Sequence, residues 1–271
     1  MSLQLSPLTH LLAEIAVEAG RLILCHYFEG TEVRKKQDHS PVTLADEEAE
    51  ALIVARLERH FPGVPIIAEE ASARGETTEI GDRFFLVDPL DGTKEFLAHN
   101  GEFTVNIALI ENNMPVCGVV VAPAKGRVFM GDVGAAAAFE LSVSKELLLS
   151  KTGRLDITSA KNIYARKPLV GELVAMVSRS HRDSKAEEYL AHYPITEMVA
   201  LGSSLKFCLI AAGEADLYPR HGRTMEWDIA AGHAVLLAAG GNVTQLDGAT
   251  FFYGKRAQGF ANPYFVAKGC N

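Results

Sequence analysis

Several features that mark whole protein classes are scarce in this 271-residue chain. There are four cysteines, Cys25, Cys117, Cys208 and Cys270, with no Cys-x-x-Cys pair and no Cys/His cluster. That excludes a disulfide-stapled scaffold and a zinc ribbon, and it fits a reducing, cytoplasmic setting. No run of 18 apolar residues occurs, so no membrane-spanning helix is expected. The N-terminal stretch lacks a basic segment followed by a long apolar one, so no secretory leader is expected. Positive charge is also short: 26 Lys and Arg stand against 34 Asp and Glu, for a net charge of −8. Such a field has the wrong sign for a non-specific nucleic-acid binder. Internal repeats and low-complexity tracts are absent. What remains is ordinary for a globular chain, with 48% hydrophobic and 22% charged residues. The length suits one large domain, or two intimate halves, with a core that needs no staple.

The most informative stretch is residues 84–96, FFLVDPLDGTKEF. Phe84 to Val87 predicts a buried strand, four apolar residues bounded by turn formers. Pro89 lacks an N–H and should stop the ladder. Gly92 permits a tight backbone path, and Thr93 to Phe96 can open a short helix. Two carboxylates, a free Leu90 carbonyl and a hydroxyl therefore share one sharp turn at a strand end. Oxygen ligands at this density suit a hard divalent cation. A solvated Asp-Pro/Asp-Gly turn would have the same local sequence, so the rest of the chain must decide.

Around that stretch the pattern predicts a helix over 7–28, with Ser6 as cap, and a short edge strand at 33–36. Gln37 to Pro41 reads as a loop. A second helix is expected over 45–60, with Thr43 as N-cap and Asp46 at the third helical position, as in a capping box. A short strand at 64–68 ends at Glu69-Glu70, and 71–82 reads as a loop. Strands at 103–110, 116–122, 128–131 and 136–140 suggest an antiparallel meander. Residues 141–172 are weakly patterned and hold the expected boundary between a half of about 1–150 and one of about 151–271. Beyond it come strands at 173–178, 195–199, 216–218, 243–244 and 264–267. Helices are expected at 185–190, from Gly202 to Ala212, and at 226–239. Strand and helix alternate there, as in an α/β layer.

Three acidic clusters sit at element junctions: Glu69-Glu70 and Asp88/Asp91 after strands, and Asp228 at the start of a helix in WDIAAGHAVLLAAGG. Each alone has an ordinary explanation, such as a solvated loop or a first-turn acid favoured by the helix dipole. The ordered set Glu69-Glu70, DPLDGT (88–93) and WDIAAG (227–232) resembles the inositol monophosphatase superfamily of lithium-sensitive, metal-dependent phosphatases. The resemblance spans nearly the whole chain. KKQDHSPVTLAD (35–46), the Lys94-Glu95-Phe96 ending of the central motif and GSSLKFCLIAAGEADLYPR (202–220) look most like the bacterial 3′(2′),5′-bisphosphate nucleotidases within it.

The resemblance implies an α/β (α+β) fold, a layered α-β-α-β-α sandwich. It implies Mg²⁺, two or three ions per site. Glu69, Asp88 and the Leu90 carbonyl would hold one ion, and Asp88, Asp91 and Asp228 the second, with a weaker third near Glu69. Thr93 would orient the attacking water and Asp46 would accept from Thr93; Glu70 is a further catalytic candidate beside the metal ligands. The substrate would lie against Glu69, Leu90, Asp91, Gly92, Thr93 and Asp228. On the far side it would meet His181, Gly202, Ser203 and Lys206, with Ser204 as a further phosphate donor.

The expected reaction is removal of the 3′-phosphate of adenosine 3′,5′-bisphosphate, which clears a by-product of sulfate assimilation. An inositol monophosphatase or broad sugar phosphatase is the alternative of the same class. A non-catalytic metal or nucleotide sensor is the alternative of another class, and the complete acidic set argues against it. The implied partner is a small nucleotide, for a monomer or homodimer. The resemblance allows peripheral contact with the inner membrane, although no polybasic or amphipathic anchor is evident.

Overall fold

Ser6 starts the fold in the computed structural model, which describes residues 5–36, 40–150, 155–168, 171–180 and 183–270. Its Oγ accepts the Thr9 amide at 3.2 Å and caps α1 (Pro7–Glu29), with Pro7 where an amide would have no helical partner. An antiparallel pair, β1 (Val33–Lys35) and β2 (Pro41–Thr43), leads into α2 (Leu44–His60). Helices α1 and α2 pack side by side. Their apolar stripes, Leu12, Ile15, Ile23, Ile53 and Leu57 among them, are buried against one face of a large sheet.

That sheet has seven strands in chain order: β3 (Ile66–Ala68), β4 (Arg83–Asp91), β5 (Thr104–Glu111), β6 (Met114–Ala122), β7 (Arg127–Asp132), β8 (Ala137–Ser142) and β9 (Lys161–Asn162). β3 and β4 are parallel; every later pair is antiparallel. Short helices interrupt it: α3 (Glu69–Ala73) after β3, α4 (Thr93–Leu97) after β4, and α5 (Lys145–Leu149) after β8. The expected meander is present. β4 is apolar at consecutive positions because both its faces are covered: Phe85 and Val87 meet the α1–α2 core, while Phe84 and Leu86 meet a second core beyond the sheet.

The second half supplies that other cover. It comprises β10 (Leu173–Ser178), α6 (Ser184–Leu190), β11 (Ile195–Leu201), α7 (Leu205–Ala211), β12 (Leu217–Arg220), α8 (Glu226–Ala238), β13 (Asn242–Gln245) and β14 (Phe265–Lys268). Its strands form a mixed five-stranded sheet in the order β11-β10-β12-β14-β13. Helices α7 and α8 lie between the two sheets. The α8 backbone comes close to the large sheet because β6 and β7 offer glycine beneath it. A Cβ on Gly118 would stand 2.6 Å from the Ala231 carbonyl, and one on Gly131 2.6 Å from Val235 Cα. Helix α6 covers the outer face, where Leu190 packs with Ala175, Leu217 and Val266. The layers are thus α-β-α-β-α, as the resemblance implied.

Two prolines depart from the sequence expectation. β4 does not end before Pro89 but runs to Asp91; the ladder to β5 skips Pro89 and Leu90 and resumes at Asp91 opposite Thr104. The missing N–H thus opens an irregularity within the strand and does not end it. Pro219 sits inside β12, opposite Val266 of β14. Its other side is free of a ladder, because β10 pairs with β12 only at Ala175–Leu217. The loop expected from residue 71 begins with the rest of α3, and the weakly patterned 141–172 region contains α5 and β9. Gln37, Asp38 and His39 of the expected loop lie outside the described residues.

Candidate active site

β3 and β4 run parallel, with Ala68 beside Val87, so their C-terminal ends emerge together. Glu69 opens α3 at one end, and Asp88 to Asp91 form the other. The N-terminus of α8 is brought to the same place by Glu226. This fully buried carboxylate accepts the amides of Gly254 at 2.9 Å and Lys255 at 2.8 Å, and the Lys255 ammonium at 2.7 Å. Two residues further along α8, Asp228 lines the same space as the strand ends. Gly92 turns the chain out of β4 with φ +95°, a backbone conformation that favours glycine, and sets Thr93 at the start of α4.

Each carboxylate leans on a nearby donor. Asp88 Oδ1 accepts the Leu90 amide at 3.0 Å, Asp228 Oδ2 the Met225 amide at 2.8 Å, and Asp91 Oδ2 the Ser204 amide at 2.5 Å. Glu69 Oε1 accepts from Lys36 Nζ at 2.6 Å. Burial pushes Asp91 up to about 6, partly offset by Lys206 and the Ser204 amide. Burial first, and then repulsion from the neighbouring acids, holds Asp88 and Asp228 well above the usual carboxylate range. The acids therefore share one field, as the clustered motif implied.

An all-oxygen set whose members repel one another fits a hard divalent cation. Among the described residues, no three such side chains already stand around one point. Glu69 is turned to Lys36 and Asp228 to the start of its own helix, so holding an ion requires side-chain rotation. The Leu90 carbonyl faces the same space as these acids and accepts from Thr93 Oγ1 at 3.4 Å.

Thr93 Oγ1 also lies 3.3 Å from Asp46 Oδ1. The other oxygen of Asp46 accepts the amide and hydroxyl of Thr43, at 2.8 and 2.6 Å. Capping α2 and facing Thr93 are therefore compatible, one oxygen for each. Burial raises Asp46 to about 6. Glu70 stands behind Glu69 and does not line the cleft. It accepts from Lys36 at 2.7 Å, and burial together with Glu69 raises it to about 8.

The opposite wall is the Gly202–Ser203–Ser204 turn, which precedes α7; the helix begins at Leu205, later than the expected Gly202. Ser203 has φ +53°, a strained value for a residue with a side chain. The turn is held from the first half of the chain. Glu102 Oε2 accepts the Gly202 amide at 2.9 Å, and Ser204 Oγ reaches Asn106 Oδ1 at 2.6 Å. Arg179 grips Glu102 with both nitrogens at 2.7 Å.

Lys206 differs most from expectation. It lines the cleft but is only 4% exposed. Its ammonium donates to the carbonyls of Leu201 (3.1 Å) and Ser203 (2.5 Å), and lies 5.1 Å from the Tyr218 ring centre. Burial lowers it to about 8 against the pull of Asp91. It holds the turn from below. His181 lies outside the described residues.

Sequence reasoning missed Lys36, which sits inside the quoted KKQD segment but has no local link to Glu69 and Glu70. It missed Glu50, which accepts the amides of Glu70 at 2.7 Å and Ala71 at 2.9 Å and so caps α3; its spacing of four from Asp46 was the available signal. It also missed Glu95, which lines the cleft and accepts from Ser180 Oγ, and the Glu102–Arg179 pair. Arg220 lines the cleft as well.

A profile of the inositol monophosphatase family matches residues 4–269. The chain is 42% identical to the 3′(2′),5′-bisphosphate nucleotidase CysQ of Salmonella typhimurium over 255 residues, 93% of this chain and 96% of that protein. Among solved structures it is similar to CysQ from Bacteroides thetaiotaomicron, described as a bacterial member of the inositol monophosphatase family. That match has a TM-score of 0.79 and 34% identity over all of both chains. The Thermotoga maritima IMPase follows with a TM-score of 0.73 and 26% identity, over 94% of this chain and 89% of that one. With the layered fold, the acidic cleft and a profile match over almost every residue, the chain belongs to the inositol monophosphatase family.

Proposed function

We propose that the protein is a Mg²⁺-dependent 3′(2′),5′-bisphosphate nucleotidase that converts adenosine 3′,5′-bisphosphate and water to AMP and phosphate. The observation that carries this reading is 42% identity over 93% of the chain to a bisphosphate nucleotidase. It is supported by the convergence of Glu69, Asp88, Asp91 and Asp228 on one cleft. A sensor on the same scaffold would have no need of the full set. An inositol or sugar phosphatase shares the fold and the acids, and differs at the wall that meets the rest of the substrate.

Glu69, Asp88, Asp91, Asp228 and the Leu90 carbonyl would hold the ions, drawing Glu69 away from Lys36. When bound, Mg²⁺ neutralises the transferring phosphoryl group and polarises water. The chain's own part is positioning and proton handling. The Thr93 hydroxyl holds the attacking water, and Asp46, raised by burial, stands behind it as the proton's destination. The Gly202–Ser204 turn lines the cleft and meets the nucleotide portion through Ser203, since the Gly202 and Ser204 amides and the Ser204 hydroxyl are given to Glu102, Asp91 and Asn106. Lys206 acts on that wall by fixing the Ser203 carbonyl. Glu70 serves the site through Lys36, with which both acids share a charge. The acidic wall draws Asp228 from the second half of the chain, and the opposite wall is held by Glu102 and Asn106 of the first, which supports a single domain of two intimate halves. No helix among the described residues is long and apolar enough to cross a membrane, and a cytoplasmic enzyme acting on a small nucleotide fits the free thiols.

The test is phosphate release from adenosine 3′,5′-bisphosphate and inositol 1-phosphate, each with Mg²⁺, with chelator, and with LiCl matched against NaCl. We expect the bisphosphate to be preferred, activity to vanish with chelator, and Li⁺ to inhibit at millimolar levels. A preference for inositol 1-phosphate would assign the inositol phosphatase function. Activity indifferent to chelator would remove the metal.

A further inference from the structure

One acid of the cleft has no part in holding a cation or handling a proton. Glu95 lies in the first turn of α4, two residues after Thr93. It lines the cleft although it is only 5% exposed. Its position is fixed from several sides. The hydroxyl of Ser180, in the segment that follows β10, donates to Oε1. Two glycines provide the room that the side chain fills. A Cβ on Gly202 would stand 2.5 Å from Glu95 Cγ, and one on Gly92 would stand 3.3 Å from Oε2. Oε2 therefore lies against Gly92, the residue between Asp91 and Thr93, and it has no protein donor among the described residues. The charge of Glu95 is felt by Asp91 on one side and by Lys206, beneath the opposite turn, on the other. Glu95 thus stands between the acidic wall and the wall that meets the rest of the substrate.

A largely buried carboxylate with one oxygen lacking a donor is unfavourable. Here that oxygen borders a substrate cleft, so the ligand is the natural source of the donor. A carboxylate brings no proton of its own, and the matching group must carry one. It also repels anions, so neither phosphate of a nucleoside bisphosphate can rest on it. Beside the reacting phosphate, the donor that remains is the hydroxyl on the neighbouring sugar carbon. That is the 2′-hydroxyl when the 3′-phosphate reacts, and the 3′-hydroxyl when the 2′-phosphate reacts.

We infer that Glu95 accepts a hydrogen bond from the hydroxyl vicinal to the reacting phosphate, and so selects ribonucleotides over deoxyribonucleotides. The inference rests on the nucleotidase reading above and adds the sugar, which joins the parts of the substrate that the two walls hold.

The test compares kcat/KM for adenosine 3′,5′-bisphosphate and 2′-deoxyadenosine 3′,5′-bisphosphate, on wild type, Glu95→Ala and Glu95→Gln. The wild type should favour the ribose substrate roughly ten- to a hundredfold, the size of a hydrogen bond to a charged acceptor. Glu95→Ala should bring the two substrates close to equality, and the loss should fall on the ribose substrate alone. Glu95→Gln keeps an acceptor without the charge and should retain a smaller preference. A ratio is insensitive to a general loss of folded protein, so partial unfolding cannot imitate this change. A wild type that treats the two sugars alike would overturn the inference. So would a Glu95→Ala variant that loses equally on both, since Glu95 would then serve the fold or the cation site. If neither nucleotide is hydrolysed while inositol 1-phosphate is, the nucleotidase reading fails. The same variants are then scored on inositol 1-phosphate against cyclohexyl phosphate, which has no hydroxyl. A Glu95→Ala ratio equal to wild type on that pair overturns the role of Glu95 as well, and a reduced ratio upholds it for the vicinal hydroxyl of a different sugar.

Discussion

On the acidic wall, three carboxylates lie close in sequence to the backbone groups that steady them, Asp46 with Thr43, Asp88 with Leu90 and Asp228 with Met225, while Asp91 takes its amide from across the cleft. On the opposite wall the separations are 100 residues for Gly202 and Glu102, 113 for Ser204 and Asp91, and 98 for Ser204 and Asn106. Most carboxylates of the first wall are oriented by short motifs as each turn forms, and Asp228 joins the rest when the halves dock. The turn of the second wall is held by side chains that reach it only once the two halves have docked. Chemistry common to a whole family is thus carried by local structure, while the surface that separates substrates depends on long-range packing. Changes on the first wall should remove the reaction, and changes on the second should redistribute it among substrates.

The largest effect should follow Asp91→Asn or Asp228→Asn. Each removes a charge from the acidic set, and we expect turnover to fall by about a thousandfold, as when an electrostatic stabiliser of the transition state is lost. The same variants should unfold no sooner than wild type in chelator, because burial and mutual repulsion already disfavour the ionised acids. Turnover and melting temperature, each with and without Mg²⁺, check both halves of this expectation.

Lys206→Met comes next. It keeps the stem but leaves the carbonyls of Leu201 and Ser203 without their donor. We expect kcat/KM for adenosine 3′,5′-bisphosphate to fall roughly ten- to a hundredfold, the size of a lost charge-assisted contact. The loss on inositol 1-phosphate should be several times smaller. An equal loss on both substrates would mean that the walls do not divide the work in this way.

Glu102→Gln should have the smallest effect. Glutamine can still accept from Gly202 but gives up the ion pair with Arg179, which is partly exposed. A rise in KM of about threefold to tenfold with nearly constant kcat is expected, since the turn is loosened and the reacting centre is untouched. Glu102→Asp should recover part of the loss. A fall in kcat at unchanged KM would instead tie this pair to the acidic wall.

The same division explains what could be read from the chain. Phe84–Val87, the DPLDGT turn and the start of the WD helix were legible because a bounded apolar run, turn chemistry and first-turn acids are local signals. Pro89 was misjudged because whether a missing N–H ends a strand depends on the neighbouring ladder, here resumed at Asp91 opposite Thr104. Lys206 was expected to meet the substrate, and nothing near it announces the Leu201 and Ser203 carbonyls as its partners. Arg179 and Glu102, 77 residues apart, carry no pattern that would pair them. Lys36 is one of several basic residues in its segment, and only the fold brings it to Glu69 and Glu70.

Helix α2 has a mechanical consequence. Asp46 and Glu50 lie one turn apart on the same face, about 6 Å along the axis. The first meets the Thr93 hydroxyl, and the second grips the leading amides of the short helix that bears Glu69. One rigid rod therefore gauges the spacing between a water-orienting group and a cation ligand that belong to different strand ends. A tilt of that rod shifts both together. Further along the same face it is seated through Ile53 and Leu57, both fully buried, in the core shared with α1 and the large sheet. Slack at that distant seam would reach the cleft as a coordinated displacement of two reactive elements, without any change in the residues that line it.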